Sequence, residues 1–191
     1  MIEARSGDEE PEPSAGVSGD SPDLSQAEFE SWAREHYELV YRYAFRLSGN
    51  QQTAEDLVQQ TFLNAWRSRS QLRERSKSKS WLLTIARNQF LKLVRKSSPD
   101  LFSQWESETI DLVDSSSGPH DGLRLDIQQM LERLPVESRI VVLMFFFEGR
   151  SYKEISAELN LKMGTVMSRL ARAKDRLRAM MSDDQASADD E

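Results

Sequence analysis

Apolar residues recur every three or four positions in several stretches of the chain, and this spacing predicts amphipathic helices. The first helix is expected to begin near Ser25, because Glu28 stands three residues later at the capping-box position. Its apolar stripe is Phe29, Trp32, His36, Val40, Tyr43 and Leu47. Since His36 falls within this stripe, we interpret it as a core histidine rather than a ligand. The Ser-Gly-Asn sequence at 48–50 predicts a turn.

Two further helices are predicted before residue 97. The second begins near Thr53, and its inward face is Ala54, Leu57, Val58, Thr61 and Ala65. The third spans 81–96, and one face of it is Leu82, Ile85 or Ala86, Gln89 and Leu93. The other face of the second helix is Asp56, Gln59, Gln60, Leu63 and Asn64. Leu63 and nearby Trp66 make this face more apolar than solubility requires. The face is either a solvated helix surface or a docking surface for a protein partner.

A second group of helices is predicted after residue 122. The first of them is amphipathic, with apolar positions at Leu123, Ile127, Met130 or Leu131, and Leu134. Pro135 ends that helix and opens the next, whose apolar run at 140–147 supplies most of a small core. This run is the longest of the chain at eight residues. It is far shorter than the ~20 residues that a membrane-spanning helix needs.

The segment 151–178 has the pattern of a helix-turn-helix. Ser151 and Glu154 form a capping box for its first helix, and Asn160 tolerates the left-handed conformation that ends a helix. Thr165 is predicted to cap the second helix. The buried face of that helix is Val166, Leu170, Ala173 and Leu177, and the remaining face carries Ser168, Arg169, Arg172 and Arg176. Such a face suits a DNA major groove, where arginine binds phosphate or pairs with guanine, better than a merely solvated surface.

Charge is distributed unevenly along the chain. The formal net charge of −7 argues at first against a nucleic-acid partner. However, the ends at 1–24 and 182–191 sum to −6 and −5, and the remainder, 25–181, sums to +4. Within that remainder, 64–96 carries +9 and 97–123 carries −6. The overall composition therefore hides basic blocks that are separated by an acidic spacer.

The basic block has the chemistry of a nucleic-acid surface. A Ser-rich basic loop at 67–80 suits phosphate. The helix after it holds Trp81 and Phe90 among basic residues, and aromatic rings among cations suit unpaired bases. For Phe90, a place in the core is an equally good explanation. The segment 97–122 has the composition of a linker, and its 26 residues could span roughly 90 Å, more than two turns of DNA at about 70 Å.

Several classes of protein are disfavoured. The absence of cysteine excludes disulfides and thiolate metal sites. The two histidines, His36 and His120, lie in the core stripe and the linker, and no phosphate loop or nucleophile motif is present. We therefore expect no metal, no cofactor and no enzymatic activity. The segment 1–24 lacks the apolar centre of a signal peptide, which predicts a cytoplasmic protein, and both acidic ends are predicted to be disordered.

Three segments carry a resemblance to a known family. Residues 47–66 resemble the sigma2 helix that docks on RNA polymerase, residues 81–96 are similar to the helix that reads the minus-ten promoter element, and residues 131–177 resemble the sigma4 domain that reads the minus-thirty-five element. In this order and spacing the segments resemble an extracytoplasmic-function (ECF) sigma factor of the sigma-70 family.

The resemblance implies an all-α fold of two small helical domains. The sigma2 domain would occupy 25–96 and the sigma4 helix-turn-helix domain 123–181. A flexible linker at 97–122 would join them, with disordered acidic tails at 1–24 and 182–191. The implied function is to bind core RNA polymerase and direct promoter-specific initiation in a stress or envelope response. The implied partners are the β′ clamp helices and β flap of the polymerase and promoter DNA, and an anti-sigma factor is a candidate because many relatives are controlled by one.

The resemblance also implies roles for individual positions. The polymerase-binding positions are Asp56, Leu57, Gln59, Gln60 and Leu63. The positions that would bind the minus-ten element are Arg73, Arg75, Lys77, Lys79, Trp81, Arg87, Asn88, Lys92, Arg95 and Lys96. The positions that would bind the minus-thirty-five element are Thr165, Ser168, Arg169, Arg172 and Arg176. A stand-alone helix-turn-helix regulator is the alternative, but it leaves the docking-type face and the basic block without a role.

This chain departs from the family pattern within the recognition helix. Met167 stands where the family often has lysine, and Ala171 where it often has histidine. Two polar contacts to DNA are therefore absent. Because of this, the minus-thirty-five sequence read by relatives does not transfer to this chain.

Overall fold

A computed structural model of the chain describes residues 25–72, 74–97 and 127–188. Within these ranges the regular elements are all helical and no strand occurs. The helices are α1 (Gln26–Ser48), α2 (Gln51–Arg67), α3 (Ser78–Ser97), α4 (Ile127–Glu132), α5 (Val136–Phe146), α6 (Tyr152–Leu159) and α7 (Met163–Ala188). Two short 3₁₀ turns, Arg69–Gln71 and Arg75–Lys77, lie between α2 and α3.

The helices α1, α2 and α3 pack against one another, as the apolar spacing predicts. The predicted inward face of α2 is confirmed in full, because all five of its residues are buried. On α1 the capping box of Ser25 and Glu28 is present, and Gly49 ends the helix in the left-handed conformation at φ 69°. His36 is confirmed as a core residue: its ring nitrogens lie 2.9 Å from the Trp32 carbonyl oxygen and 3.2 Å from Ser78 Oγ.

The buried face of α3 differs from the predicted one. Leu93 is 48% exposed and Gln89 is half-buried, so the predicted face is wrong at these two positions. The buried residues are Ser78, Leu82, Leu83, Ala86, Arg87, Phe90, Leu91 and Val94. This helix has apolar residues on more than one side, so its packing partners decide which side is covered. Phe90 is thereby a core residue.

The helix-turn-helix is formed by α6 and α7. The capping box of Ser151 and Glu154 is confirmed, as is the left-handed conformation of Asn160, at φ 54°. The predicted cap at Thr165 is wrong, because α7 begins earlier, at Met163, and Thr165 lies buried inside it. The helix also continues to Ala188, past the end expected at 181, since the sequence after 181 contains no proline or glycine to stop it.

The two groups of helices are in contact with each other. The helix α1 packs against both α4 and α5, and the buried apolar side chains of the two groups form one continuous cluster. Two donors from the second group reach the end of α1: Gln128 Nε2 donates to the Phe45 carbonyl and Arg139 Nη1 to the Leu47 carbonyl, both at 3.1 Å. Residues 98–126 lie between the two groups and outside the described residues, and they include all of the predicted linker except residue 97. The segment 1–24 also lies outside the described residues.

None of the helices in the described ranges combines the length and the apolar character that crossing a bilayer requires.

The packing of α3 generates a stability prediction with a control in the same helix. Leu82 is completely buried, so Leu82→Ala leaves a cavity and should lower the free energy of unfolding by about 2–5 kcal/mol. The same substitution at the exposed Leu93 should change it by no more than about 0.5 kcal/mol. Urea unfolding followed by circular dichroism measures both. Equal losses at the two positions would contradict the observed face of α3.

Candidate nucleic-acid interface

The exposed side of α3 carries half of the positive charges predicted to meet the minus-ten element. Asn88, Lys92, Arg95 and Lys96 are exposed along it, and Lys79 is exposed in its first turn. This follows from the helical period, because the apolar residues that face α1 and α2 leave these polar positions on the outside. The side of α3 that faces solvent is therefore a cationic strip.

The loop before α3 extends this cationic strip. Arg75 and Lys77 are exposed in the second 3₁₀ turn, where Arg75 lies 4.0 Å from a Glu28 carboxylate oxygen and Lys77 Nζ lies 2.9 Å from Glu74 Oε1. Exposed pairs of this kind bind weakly and leave the cations able to exchange partners. Trp81 is half-buried, with its ring centroid 6.3 Å from that of Trp32. Arg73 lies outside the described residues.

Arg87 differs from the other predicted minus-ten residues because it is 2% exposed. Its Nη1 lies 2.5 Å from Glu148 Oε2, and its Nη2 is bonded to Glu158. Both carboxylates come from the second group of helices. In this arrangement the guanidinium is paired inside the protein and does not face DNA.

The outer face of α7 presents Ser168 and Arg172. Arg172 folds back along the helix, with Nε 3.3 Å from the Ser168 carbonyl oxygen and Nη2 3.4 Å from Ser168 Oγ. Arg176 is half-buried, and the apolar side chains of Met163 and Met167 are about half exposed at 53% and 49%. Arginine can read guanine or phosphate, and an exposed apolar side chain can contact the methyl group of thymine.

Two residues of the predicted minus-thirty-five set point inward. Thr165 is 4% exposed and Arg169 is 1% exposed. Burial lowers the pKa of Arg169, while the carboxylate of Glu137 acts in the opposite direction. These two side chains therefore belong to the interior of the helix-turn-helix in this structure. The expectation that Arg169 lies on the outer face is wrong for this arrangement, because its position turns toward α5.

The residues of the predicted docking face of α2 are exposed to solvent, with one exception. Asp56, Gln59, Gln60 and Leu63 are all exposed, and their spacing of three and four residues places them on one side of the helix. The exception is Leu57, which is 4% exposed and packs in the core because it belongs to the inward face of α2. Its effect on a partner would therefore pass through the position of the helix.

An apolar groove borders this face of α2. Two adjoining depressions of about 590 and 560 Å³ share Gln59 and Phe62 as lining residues. The remaining lining comes from α1 and α2: Gln26, Phe29, Glu30, Ala33, Arg34, Tyr37, Val58, Leu63 and Trp66. The surface is thus larger than the polar residues of α2 alone suggest, and it is well suited to receive apolar side chains of another protein.

Some residues of these surfaces were not singled out by the sequence pattern. Phe62 and Tyr37 line the groove although neither stands in the predicted docking set. Glu148 and Glu158 hold Arg87 across more than sixty positions of sequence. Helical periodicity reports which side of one helix is covered, but it carries no information on which helix covers it. Among the described residues, no cluster of histidine or acidic side chains could hold a metal ion.

Comparison with known proteins identifies two family models in the chain. Residues 29–99 match the family model for Sigma-70 region 2, and residues 124–177 match that for Sigma-70, region 4. The chain is similar to the ECF RNA polymerase sigma factor SigE of Mycolicibacterium smegmatis, at 39% identity over 80% of this chain and 62% of that protein. The chain thus spans less than two thirds of the length of SigE.

Other relatives match over most of their length. The similarity to the ECF RNA polymerase sigma factor SigL of Mycobacterium tuberculosis is 32% identity over 78% of this chain and 86% of SigL. A solved structure, the sigma factor RpoE in complex with the anti-sigma factor NepR from Bartonella quintana, matches with a TM-score of 0.56 and 27% identity. It covers 81% of this chain and 96% of RpoE. The chain therefore belongs to the ECF RNA polymerase sigma factors of the sigma-70 family.

Proposed function

We propose that the chain is a dissociable initiation subunit that binds core RNA polymerase, recruits it to a two-part promoter and helps to open the minus-ten region. In this proposal, residues 25–96 dock on the polymerase and read the minus-ten element, and residues 123–181 read the minus-thirty-five element. The chain then acts by binding and positioning rather than as a catalyst, and it acts in the cytoplasm, where the polymerase and the promoter are.

The groove and the exposed face of α2 support docking on the polymerase. A free protein gains nothing by exposing Leu63 beside Phe62 and Trp66, whereas a partner that covers the groove removes this apolar area from water. Exposed Asp56, Gln59 and Gln60 along the rim can fix the orientation of that partner through hydrogen bonds. We assign this surface to the β′ clamp helices of the polymerase.

The cationic strip supports binding to an opened DNA strand. Lys92, Arg95 and Lys96 carry positive charge near the end of α3, and the loop and first turn carry it near the beginning. The helix can therefore meet phosphates at both of its ends. Trp81 at the start of α3 offers a partly exposed ring two residues after the exposed Lys79. An unpaired base can stack on such a ring irrespective of its identity. This combination favours a role in melting over the reading of intact duplex.

The stand-alone regulator is less well supported than the initiation subunit. It would use α6 and α7 alone, and the apolar groove between α1 and α2 would then have no occupant. The match of residues 29–99 to Sigma-70 region 2 favours the initiation subunit. An anti-sigma factor is a further candidate partner, since the RpoE relative was solved in complex with one.

Run-off transcription tests the proposed function through the docking face. Purified chain plus sigma-free core polymerase on a pool of promoter fragments should give transcripts that depend on the chain. The double substitution Asp56→Ala and Gln59→Ala removes two polar contacts at the groove rim and should weaken binding of core polymerase about tenfold. Transcripts should fall with it at subsaturating concentrations of the chain.

The control is Glu38→Ala, which removes an exposed carboxylate from α1 outside the groove lining. This variant should keep both the polymerase affinity and the transcripts of the unmodified chain. If the double variant binds polymerase as tightly as the control, the docking assignment is wrong. If the unmodified chain gives no transcripts at all, the proposed function itself is contradicted.

Arg172 supplies a test of minus-thirty-five recognition. Arg172→Ala should weaken binding of the polymerase complex to its promoter by about 1–3 kcal/mol and affect a promoter with a scrambled minus-thirty-five element much less. Arg178→Ala removes the same charge from the same helix, where Arg178 pairs with Asp175 at 3.2 Å. Its effect should be small and equal for both sequences. Quantitative footprinting measures the affinities, and an equal loss for both sequences with Arg172→Ala would rule out base recognition by this residue.

A further inference from the structure

Four charged side chains join the two groups of helices. We call Arg87, Glu148, Arg150 and Glu158 the charge cluster. Glu148 Oε2 lies 2.5 Å from Arg87 Nη1 and 3.5 Å from Arg150 Nε, and Glu158 is bonded to Arg87 and lies 3.4 Å from Arg150 Nε. Arg87 belongs to α3, whereas the other three come from the α5–α6 turn and α6. The charge cluster is therefore an interface between the promoter-reading helix and the helix-turn-helix.

Two hydrogen bonds to neutral side chains of the first group complete the charge cluster. The Tyr43 hydroxyl donates to Glu148 Oε1 at 2.5 Å, and Arg150 Nη2 donates to Thr84 Oγ1 at 3.0 Å. The side chain of Glu148 is 0% exposed. The two guanidinium groups and two carboxylates of the cluster balance in charge, and a further, exposed carboxylate, that of Glu154, lies 3.6 Å from Arg150 Nη1. A buried charge persists only when its partners are in place, so the cluster holds the two groups in one specific arrangement.

A second set of contacts joins the two groups of helices at the last turn of α1. Arg139 and Gln128 donate to the last carbonyls of α1, where the helix dipole also favours a cation. The guanidinium carbon of Arg46 lies 4.6 Å from the ring centroid of Phe147. Polar, charged and apolar contacts of this kind together favour one defined interface over a loose encounter of two tethered parts.

While this interface is intact, the chain cannot bind both elements of a two-part promoter. Elements two turns of DNA apart are about 70 Å from each other. In this structure α3 and α6 touch through ion pairs, so the two promoter-reading surfaces cannot occupy both elements at once. The residues between 97 and 127 are numerous enough to bridge such a separation once the contacts have broken.

We propose that the charge cluster holds the free chain closed, with the helix-turn-helix as the intramolecular partner of α3, and that docking on the polymerase opens it. The requirement for opening rests on the proposed function, but the closed interface does not. Arg87 has two competing partners in this proposal. In the closed chain it pairs with Glu148 and Glu158, and in the open chain its guanidinium is released toward the cationic strip of α3. Glu148 is then a positioning residue that withholds Arg87 from DNA.

The test measures a distance in the full-length chain. Because the sequence has no cysteine, Ala27→Cys on α1 and Lys153→Cys on α6 give two exposed sites for spin labels or fluorophores. Glu148→Gln and Glu158→Gln each remove one negative charge from the cluster without a large change of shape. Glu38→Gln is the matched control on the exposed surface of α1. Circular dichroism verifies the helical content of every variant.

The unmodified chain and the control should show one short distance. Both cluster variants should shift the open-to-closed ratio at least about tenfold toward long distances, with the larger shift for Glu148→Gln. If Glu148→Gln loses helical content, Glu158→Gln decides, because its side chain is 28% exposed and tolerates the change better. The proposal would be overturned if the variant that decides the test keeps its full helical content and still shows the short distance.

A second arm of the test separates this proposal from the proposed function. Core polymerase added to the labelled, unmodified chain should convert the short distance into a long one. Co-elution with polymerase while the short distance persists would contradict opening on docking. Failure to bind polymerase at all would contradict the proposed function, and the variant distances would still decide whether the charge cluster holds the chain closed.

Discussion

The buried ion pair between Arg87 and Glu148 is the constraint on which the arrangement of the whole molecule depends. Each of these charges loses several kcal/mol of solvation on burial, so neither is tolerated without the other. The requirement extends to the neighbours. Burial and the carboxylate of Glu148 raise the pKa of Tyr43, which keeps its hydroxyl protonated as a donor to that carboxylate. One pair thus fixes the position of the second group of helices against α1 and α3.

In the proposed function, the surfaces that remain outside this interface divide the work of an initiation subunit. The groove between α1 and α2 is apolar and suited to protein, the loop and α3 are cationic and suited to an opened strand, and the outer face of α7 is suited to duplex DNA. A net charge of −7 conceals this division, since acidic segments at both ends and in the middle outweigh the basic blocks. Function here follows from where the charge lies rather than from its sum.

Local patterns in the sequence were sufficient for much of the fold. The inward face of α2, the capping boxes at Ser25 and Ser151 and the left-handed Asn160 each depend on residues within one helix or turn, and all are present. Apart from the cap at Thr165 and the end of α7, the wrong predictions concern long-range packing. Leu93 was expected inside and Arg169 outside, yet the first is exposed and the second buried.

The candidate site was predictable to a similar extent, and for a similar reason. Exposed Asp56, Gln59 and Leu63 on α2 follow from the period of one helix, as do the exposed cations of α3. The burial of Arg87 could not be predicted in this way. Its carboxylate partners lie 61 and 71 residues away in the sequence, and no local pattern indicates that they meet. A basic residue on a helix is ordinarily expected to face solvent or DNA. Only the tertiary structure shows that Arg87 is instead buried and paired with carboxylates of another helix group.

The central claim is that one chain places two separate reading surfaces on one promoter. Cleavage of promoter DNA by an iron chelate tethered to a single cysteine tests it most directly. The exposed Leu93 on α3 and Ala171 on α7 supply the two positions for Leu93→Cys and Ala171→Cys, each in the full chain bound to core polymerase. The account predicts two groups of cuts about 70 Å of duplex apart, one from each position. Cuts from both positions at the same place, or from Ala171→Cys alone, would contradict it.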